Sequence, residues 1–341
     1  MKFSPSLSSS NIIVNMLIES SKKLNLPIES LLALLPNESR QSASEKVRLP
    51  LDAITTAWQW FTEHGQDENI GLRLADATPL TSQTMLTYLV MSCKTFEDVM
   101  DAIVKYQWFI CDSSAISVKK VAQECHMEFE FSVCTNQEFR HQAEYAMLLI
   151  HHWLQDLLGR AWHIKEVNFT HPEPDDITMH KALFDSKLKF SAQKNVLKFD
   201  TSLLSHSIRY ANEELNSILQ AQAKSLKSYI AQREVVVAAG QFIKAQLSSG
   251  HVVLEDVAQH CQLSARQLKD LLEQQGTNFR ELVEQEKIAL AQNLLADNEL
   301  SIAQVSDACG FAEPSIFNRA VKRWFAVTPS QLRQRLKEEV C

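Results

Sequence analysis

Residues 264–333 read SARQLKDLLEQQGTNFRELVEQEKIALAQNLLADNELSIAQVSDACGFAEPSIFNRAVKRWFAVTPSQLR. From Glu234 onward no alternating, strand-like pattern appears, and helix starts are marked repeatedly. Capping boxes stand at Ser264-x-x-Gln267, Asn278-x-x-Glu281, Ser301-x-x-Gln304 and Thr328-x-x-Gln331. In each, the first side chain can accept from an orphan backbone N–H and the fourth can reach back. Pro314 and Pro329 suit the first helical position, where a missing N–H costs nothing. Gly276 falls where a helix must stop, in a position suited to a left-handed cap. This punctuation predicts about seven short helices joined by tight turns.

Two helix pairs look alike. Val257-Ala258-x-x-Cys261-x-Leu263 leads into the helix at Ser264, and Val305-Ser306-x-x-Cys309-Gly310-Phe311 leads into one near Glu313. A small residue lets the helices approach and a short turn sets them at a steep angle, the helix-turn-helix arrangement. The helix between the pairs, about Asn278–Leu295, gathers Phe279, Leu282, Val283, Leu290 and Leu294 on one stripe. It is ~27 Å long at 1.5 Å per residue. Recognition helices held that far apart suit successive major grooves on one face of double-stranded DNA, which repeat every ~34 Å.

Helical spacing predicts which side chains remain outside. In the first recognition helix Leu268, Leu271 and Leu272 face the core, leaving Arg266, Gln267, Lys269 and Asp270 to solvent. In the second, Ile316, Phe317, Ala320, Val321 and Trp324 read as core, and Ser315, Asn318, Arg319, Lys322 and Arg323 as surface. From Arg319 to Lys337 the chain carries Arg319, Lys322, Arg323, Arg333, Arg335 and Lys337 and no acid. Basic runs are commonly solvated faces; coincidence with a recognition helix favours phosphate contact.

The preceding sequence changes period. Asn11–Leu24, Ile28–Leu35, Leu51–Glu63, Ser82–Cys93 and Phe96–Ile110 carry apolar residues at helical spacing, with Pro27, Pro36, Pro50 and Pro79 between them. Ile116, Val118 and His126–Val133 alternate, an antiparallel hairpin with one buried face. A long amphipathic helix follows at about Gln137–Leu158, then strand signal at Ile164–Thr170, Lys187–Phe190 and Val196–Phe199. The expected fold class is an α+β N-terminal domain followed by an all-α domain with two helix-turn-helix units. The expected boundaries are 1–206 for an effector-binding or dimerisation domain, 207–232 for a helical linker, and 233–341 for the DNA-binding domain.

Bulk properties narrow the function. With 341 residues, 45% of them hydrophobic, the chain can build two or three real cores. Its net charge of −7 confines any DNA face to a local patch. The glycine spacing excludes G-x-G-x-x-G and P-loop sites, and neither G-x-S-x-G nor H-E-x-x-H occurs, so no enzyme activity and no cofactor is expected. Seven cysteines, at Cys93, Cys111, Cys125, Cys134, Cys261, Cys309 and Cys341, form no C-x-x-C pair. They read as free thiols of a reducing cytoplasm, with a redox-sensing pair as the sharper alternative. The N-terminus lacks a signal peptide's apolar core, and no run is long enough to span a membrane. His141-x-x-Glu144 has metal-like spacing without a matching ligand set, and reads as an exposed or half-buried polar pair. His151-His152 are neighbours that point apart on a helix. No metal is expected.

The C-terminal stretch resembles the AraC/XylS transcription regulators across their whole DNA-binding domain. The most specific parts are Gly310-Phe311, Ser315-x-Phe317-x-Arg319-Ala320, Lys322-Arg323-Trp324 and Thr328-Pro329-Ser330. The resemblance implies base contacts from Arg266, Gln267 and Lys269 in one unit and from Pro314, Ser315, Asn318 and Arg319 in the other. Departures from the family pattern are Asp270 for a basic residue, Lys287 for arginine, Val321 for phenylalanine, Ala326 for glycine and Leu332 for tyrosine. VRLPLDAI at Val47–Ile54, GLRLA at Gly71–Ala75 and the stretch Val167–Asp200 resemble the α+β domain called arabinose-binding in a subgroup of that family. That implies an effector or dimerisation domain over roughly residues 15–205.

Candidate effector contacts are Arg140, Glu144, Tyr88, Tyr106 and Met147, together with Met85, Leu89 and Phe109; plain packing is the alternative for the apolar ones. Arg140 is singled out for an anionic ligand because a guanidinium grips a carboxylate bidentately, and an ion pair to Glu144 is its alternative. The expected protein is a ligand-responsive, cytoplasmic activator. Its expected partners are double-stranded DNA, a small-molecule effector, RNA polymerase and a second copy of the chain, with no membrane partner. The alternatives are a metal- or redox-sensing regulator and a DNA-binding protein whose first domain only dimerises.

Overall fold

The computed structural model describes residues 8–40, 47–65, 67–79, 84–110, 114–131, 138–250, 252–296 and 300–338. They form two compact units, one up to Leu226 and one from Lys227. The first is α+β and the second is helical throughout its described residues, as the change of sequence period implies.

The first unit opens with β1 (Ser8–Ser10), α1 (Asn11–Lys23), α2 (Glu29–Leu34), β2 (Arg48–Pro50), α3 (Leu51–His64), α4 (Ile70–Ala77), α5 (Met85–Met91) and α6 (Phe96–Tyr106). Five of the helices fall in the five apolar-periodic segments; residues 82–83 of the fourth segment lie outside the described set. The antiparallel pair β1–β2 and the helix α4 carry no comparable signal. Three-residue strands are too short to show alternation, and eight residues of α4 complete barely two turns.

Next come β3 (Ser114–Val121), β4 (Glu124–Phe131), α7 (Glu138–Leu158), β5 (Glu166–Asn168), α8 (Thr178–Phe184), β6 (Lys187–Lys189) and β7 (Asn195–Asp200). The strands form one sheet in the order β3-β4-β7-β5-β6, antiparallel except for the β5–β6 pair. The hairpin register sets Ile116 opposite Phe129, and Met127 lies opposite Leu197 of β7. Cys125, Met127, Phe129, Leu197 and Phe199 are buried, the expected buried face of an alternating strand. On the other face Glu128 accepts from both Lys119 and Lys194 at 2.7 Å.

Residues from the segment expected as a helical linker, Ser207–Gln232, bond to the first unit at their start. The Ile208 amide donates to the Lys94 carbonyl, and the Asn216 amide group donates to Leu89 and Ser92. These bonds tie residues beyond His206 to the first unit. The helix α9 (Glu213–Gln246) then runs without a break through Gln232. A helix pays no local penalty for crossing a domain boundary when its residues are good helix formers, so composition could not reveal the junction.

Helices α4 and α7 pack closely because Gly71 has no side chain. A Cβ there would stand 2.3 Å from the His141 carbonyl oxygen and 2.7 Å from its Cα, both backbone atoms that cannot step aside. We expect Gly71→Ala to destabilise the protein by about 1–3 kcal/mol, as overpacked cores do. The melting temperature should fall by several degrees; an unchanged value would show that α4 can move away freely.

Candidate nucleic-acid interface and ligand cavity

The second unit continues from the end of α9 into α10 (Leu254–His260), α11 (Ala265–Gln274), α12 (Phe279–Ala296), α13 (Ile302–Ala308), α14 (Pro314–Phe325) and α15 (Pro329–Glu338). The boxes at Ser264, Ser301 and Thr328 close in both directions. At Asn278 only half of the box forms, because Glu281 accepts from Thr277 instead of reaching back. Gly276 has a positive φ, as expected of a left-handed cap.

The two pairs, α10–α11 and α13–α14, turn alike. Leu263 donates to the Ala258 carbonyl in the first, and Phe311 to the Ser306 carbonyl in the second. Gln262 and Gly310 hold the matching left-handed positions. Glycine is required only in the second, where a Cβ would fall 2.1 Å from the Leu247 carbonyl oxygen. The matching cysteines, Cys261 and Cys309, are buried in two separate cores. Leu282 of α12 sits in the first core and Ala291 and Leu295 in the second, so one helix carries both pairs.

On α11, Arg266, Gln267 and Lys269 are exposed, as expected, but each is partly engaged. Arg266 stands 3.9 Å from Asp270 and Lys269 3.9 Å from Glu273. The Gln267 carbonyl accepts from Ser264, leaving its amide NH2 to reach outward. On α14, Pro314, Ser315, Asn318, Arg319, Lys322 and Arg323 are exposed. Ser315 donates to Glu313, and Arg323 pairs with Glu284 of α12, which also accepts from the Trp324 indole at 2.7 Å. Asn318, Arg319 and Lys322 have no such partner among the described residues. Arg333, from the same basic run, donates to the Leu300 carbonyl and braces the fold; the side chain of Lys337 lies outside the described set.

One core assignment is corrected. Ile316 is 39% exposed, beside Ser315 on the outer face of α14. Its neighbour Phe317 fills the core position completely, and consecutive helical residues point about 100° apart. An apolar residue on a polar face was the available signal.

The family departures have physical readings. Lys287 donates to the Gly310 carbonyl at 3.3 Å and lies 4.3 Å from the Phe311 ring centroid, so it ties α12 to the second turn. Val321 is fully buried. Ala326 ends α14 in a left-handed conformation at φ +58, which an L-residue enters at a cost that glycine avoids. Ala326→Gly should therefore stabilise the second unit by about 1 kcal/mol, net of glycine's greater unfolded-state freedom. A lower urea midpoint for the variant would refute this reading.

In the first unit, helix α7 has two unlike faces. One holds Arg140, His141 and Glu144. Glu144 is fully buried, not the exposed or half-buried partner its spacing suggested. It accepts from Arg140 at 2.8 Å and faces His180 Nε2 at 2.7 Å and His171 Nε2 at 3.3 Å. Arg140 also donates to Asn69 at 2.9 Å. Burial alone would raise the Glu144 carboxyl, but His141, His180 and Arg140 together hold it well below the usual carboxylate range. Among the described residues no group of His, Cys, Asp or Glu is arranged to hold a metal ion.

The opposite face of α7 lines a cavity of about 160 Å3. Ile150 and Leu154 contribute from α7, with Trp58 from α3, Ile103 from α6 and Phe129 from β4. None of Arg140, Glu144, Tyr88, Tyr106 and Met147 lines it. Met147 is fully buried, on the Glu144 side of the helix; Tyr106 is buried, and Tyr88 is 40% exposed. Arg140, Glu144 and Met147 thus lie on the face of α7 turned away from the cavity.

His151 and the four described cysteines are packed away. His151 Nδ1 accepts from the Trp162 indole at 2.8 Å, and burial pushes the ring down to about 4. Burial pushes the Cys93 and Cys309 thiols up to about 11, and Cys125 and Cys261 are buried too. Such thiols stay protonated and unreactive. Cys111, Cys134 and Cys341 lie outside the described residues.

Arg140 therefore belongs to the core of the first unit. Arg140→Met should cost about 3 kcal/mol by leaving a buried carboxylate short of a partner. Because Glu144 titrates lower when folded than unfolded, its contribution is complete above about pH 4.3 and is lost as the pH falls further. Acid unfolding of wild type and variant should converge below that pH; parallel curves would contradict this role.

Residues 33–208 match the family model described as the arabinose-binding domain of AraC transcription regulator, N-term, and residues 257–335 match a helix-turn-helix domain. An uncharacterized HTH-type transcriptional regulator of Mycobacterium tuberculosis is 23% identical over 84% of each chain. The regulator VqsM of Pseudomonas aeruginosa is 19% identical over 81% of this chain and 87% of its own. The crystal structure of the transcriptional regulator CdpR from Pseudomonas aeruginosa aligns over 90% of this chain and 96% of that one, at 20% identity and a TM-score of 0.46. No described helix is long and apolar enough to cross a membrane. With the first family match alone covering more than half of the sequence, and a helix-turn-helix match following it, the chain belongs to the AraC family of DNA-binding transcription regulators.

Proposed function

We propose that this AraC-family regulator reads two successive major grooves with α11 and α14, under control of a small-molecule effector bound in the first unit. The observation that carries the reading is the shared helix α12. It buries Leu282 with α11 and Leu295 with α14, so the two exposed recognition faces are carried by one rigid support.

In this reading Asn318, Arg319 and Ser315 meet base edges, Ile316 packs on a thymine methyl, and Lys322 neutralises a phosphate. Arg323 is held in place by Glu284 and supports α14. The first pair contributes Arg266, Gln267 and Lys269 more weakly, because Asp270 and Glu273 offset its cations. Pro314 starts α14 and sets the angle at which it enters the groove.

Activation is the proposed sign of regulation, on the precedent of a relative named as the urease operon transcriptional activator of Escherichia coli, 34% identical over 80 residues. RNA polymerase is the partner that activation requires. A second copy of the chain is a further proposed partner, supported by Leu215 and Ile218, exposed one turn apart on α9. The proposed DNA-binding domain is put at 233–341 from the sequence, and the compact helical unit begins a few residues earlier, at Lys227; Val235, Val236, Ala239 and Ile243 of α9 pack in the first helical core.

Residues 227–341 alone should fold and bind DNA selected from a random pool. Lys322→Ala should flatten the slope of log affinity against log salt by about one unit on every sequence. Arg319→Ala should relax base preference by about 1–3 kcal/mol, and Asp270→Arg should tighten binding while reducing discrimination. Salt titrations on selected and random DNA measure all three. Equal losses from matching substitutions in α11 and α14 would show that the two pairs contribute alike.

A further inference from the structure

The cavity beside α7 is suited to one kind of ligand. Its walls are aliphatic and aromatic, and Trp58, Phe129 and Leu154 are almost wholly buried. Its polar groups are mostly spent within the protein. Thr84 and Thr87 cap α5, Gln107 bonds both backbone groups of Ile116, and the Tyr145 hydroxyl meets Thr78 at 3.2 Å. Glu130 faces Lys194 at 3.4 Å. That leaves Ser114, Gln142 and Tyr210 as neutral groups and Asp156, one turn beyond Trp153 on α7, as a charged group with no ion-pair partner among the described residues.

No lysine, arginine or histidine is among the described lining residues. The neighbouring stretches 80–83, 111–113 and 132–137 contain none either; Arg209 stands over the ring of the exposed lining residue Tyr210, 5.5 Å from its centroid, at the outer edge of the lining. A carboxylate or phosphate brought among the aliphatic and aromatic walls would lose its water and meet no cation among the described lining residues, which is strongly unfavourable. A sugar would bury many hydroxyls against apolar walls with few partners. An apolar body of about the size of benzene fills a dry cavity of this volume well. A single ammonium group at the exposed Asp156 end would keep its solvation and meet an opposite charge.

We propose that the cavity binds a small apolar amine, with its hydrocarbon part among Trp58, Ile103 and Phe129 and its ammonium at Asp156, and that it rejects carboxylates and sugars. The inference rests on the reading of the first unit as an effector domain. It departs from the sugar named in the description of the matching family model.

Phenethylamine, 2-phenylethanol, phenylacetate and L-arabinose are the probes, tested on the full chain by thermal shift and calorimetry. Phenethylamine should bind, roughly tenfold or more tighter than phenylacetate, and arabinose should not bind. Asp156→Asn should weaken the amine about threefold, as expected of an exposed ion pair, and leave the alcohol unchanged. Ala146→Leu and Leu149→Phe, which fill the cavity from α7, should each abolish binding of the amine while the protein still binds DNA. Tighter binding of phenylacetate or arabinose, or an amine unaffected by Asp156→Asn, would overturn the ligand class and leave the effector reading standing. If none of the probes binds, both fail.

Discussion

Leu282 and Leu295 lie on the same helix and are buried in different cores. That double anchorage of α12 is the constraint on which the DNA-facing half of the molecule depends. Helix-turn-helix pairs position a recognition helix by packing it against its own partner, and α10 and α13 do this here. What relates one recognition helix to the other is the stiffness of α12 between the two cores. Gly310 brings the second turn against the end of the first core at Leu247, and Lys287 holds that turn from α12 through the Gly310 carbonyl and the Phe311 ring. Any substitution that loosens these joints changes the spacing between the recognition helices before it changes a DNA-facing side chain.

The two recognition helices are not equivalent in charge. On α11 each cation has a carboxylate one turn away, and the glutamine that could reach a base is also part of the helix cap. On α14 the cation nearest α12, Arg323, is neutralised by Glu284, while Arg319 and Lys322 remain available. An acidic chain that must approach a polyanion concentrates its attraction where it is least offset. In the proposed reading the second pair is the anchor, and the first adjusts affinity and selectivity around it.

In the first unit α7 divides two environments. Its Glu144 face is polar and closed, and Arg140 and His180 hold Glu144 there while Asn69 accepts from Arg140. Its Tyr145 face is apolar and leaves space. Buried polar networks fix the position of a helix because their members lose most when displaced. The result is a stiff wall for the cavity, with the Glu144 network kept on the far side of the helix.

The sequence by itself determined the helical identity of the second unit, its caps, its two matching turns and most of its inward and outward faces. These follow from local rules: a capping box, a left-handed glycine and a 3.6-residue period act within a few residues of where they are written. It also placed the hairpin and α7. Only the tertiary structure decided that Ile316 lies outside, that Arg323 and Arg333 are engaged within the protein, that Glu144 is buried among histidines from α8 and the strand β5 region, and that the cavity lies on the other side of α7. Each depends on a partner far away in the chain, such as Glu284 for Arg323 or His180 for Glu144. Side-chain period specifies a direction from the helix axis, and what waits in that direction is set by packing between elements that sequence spacing does not encode.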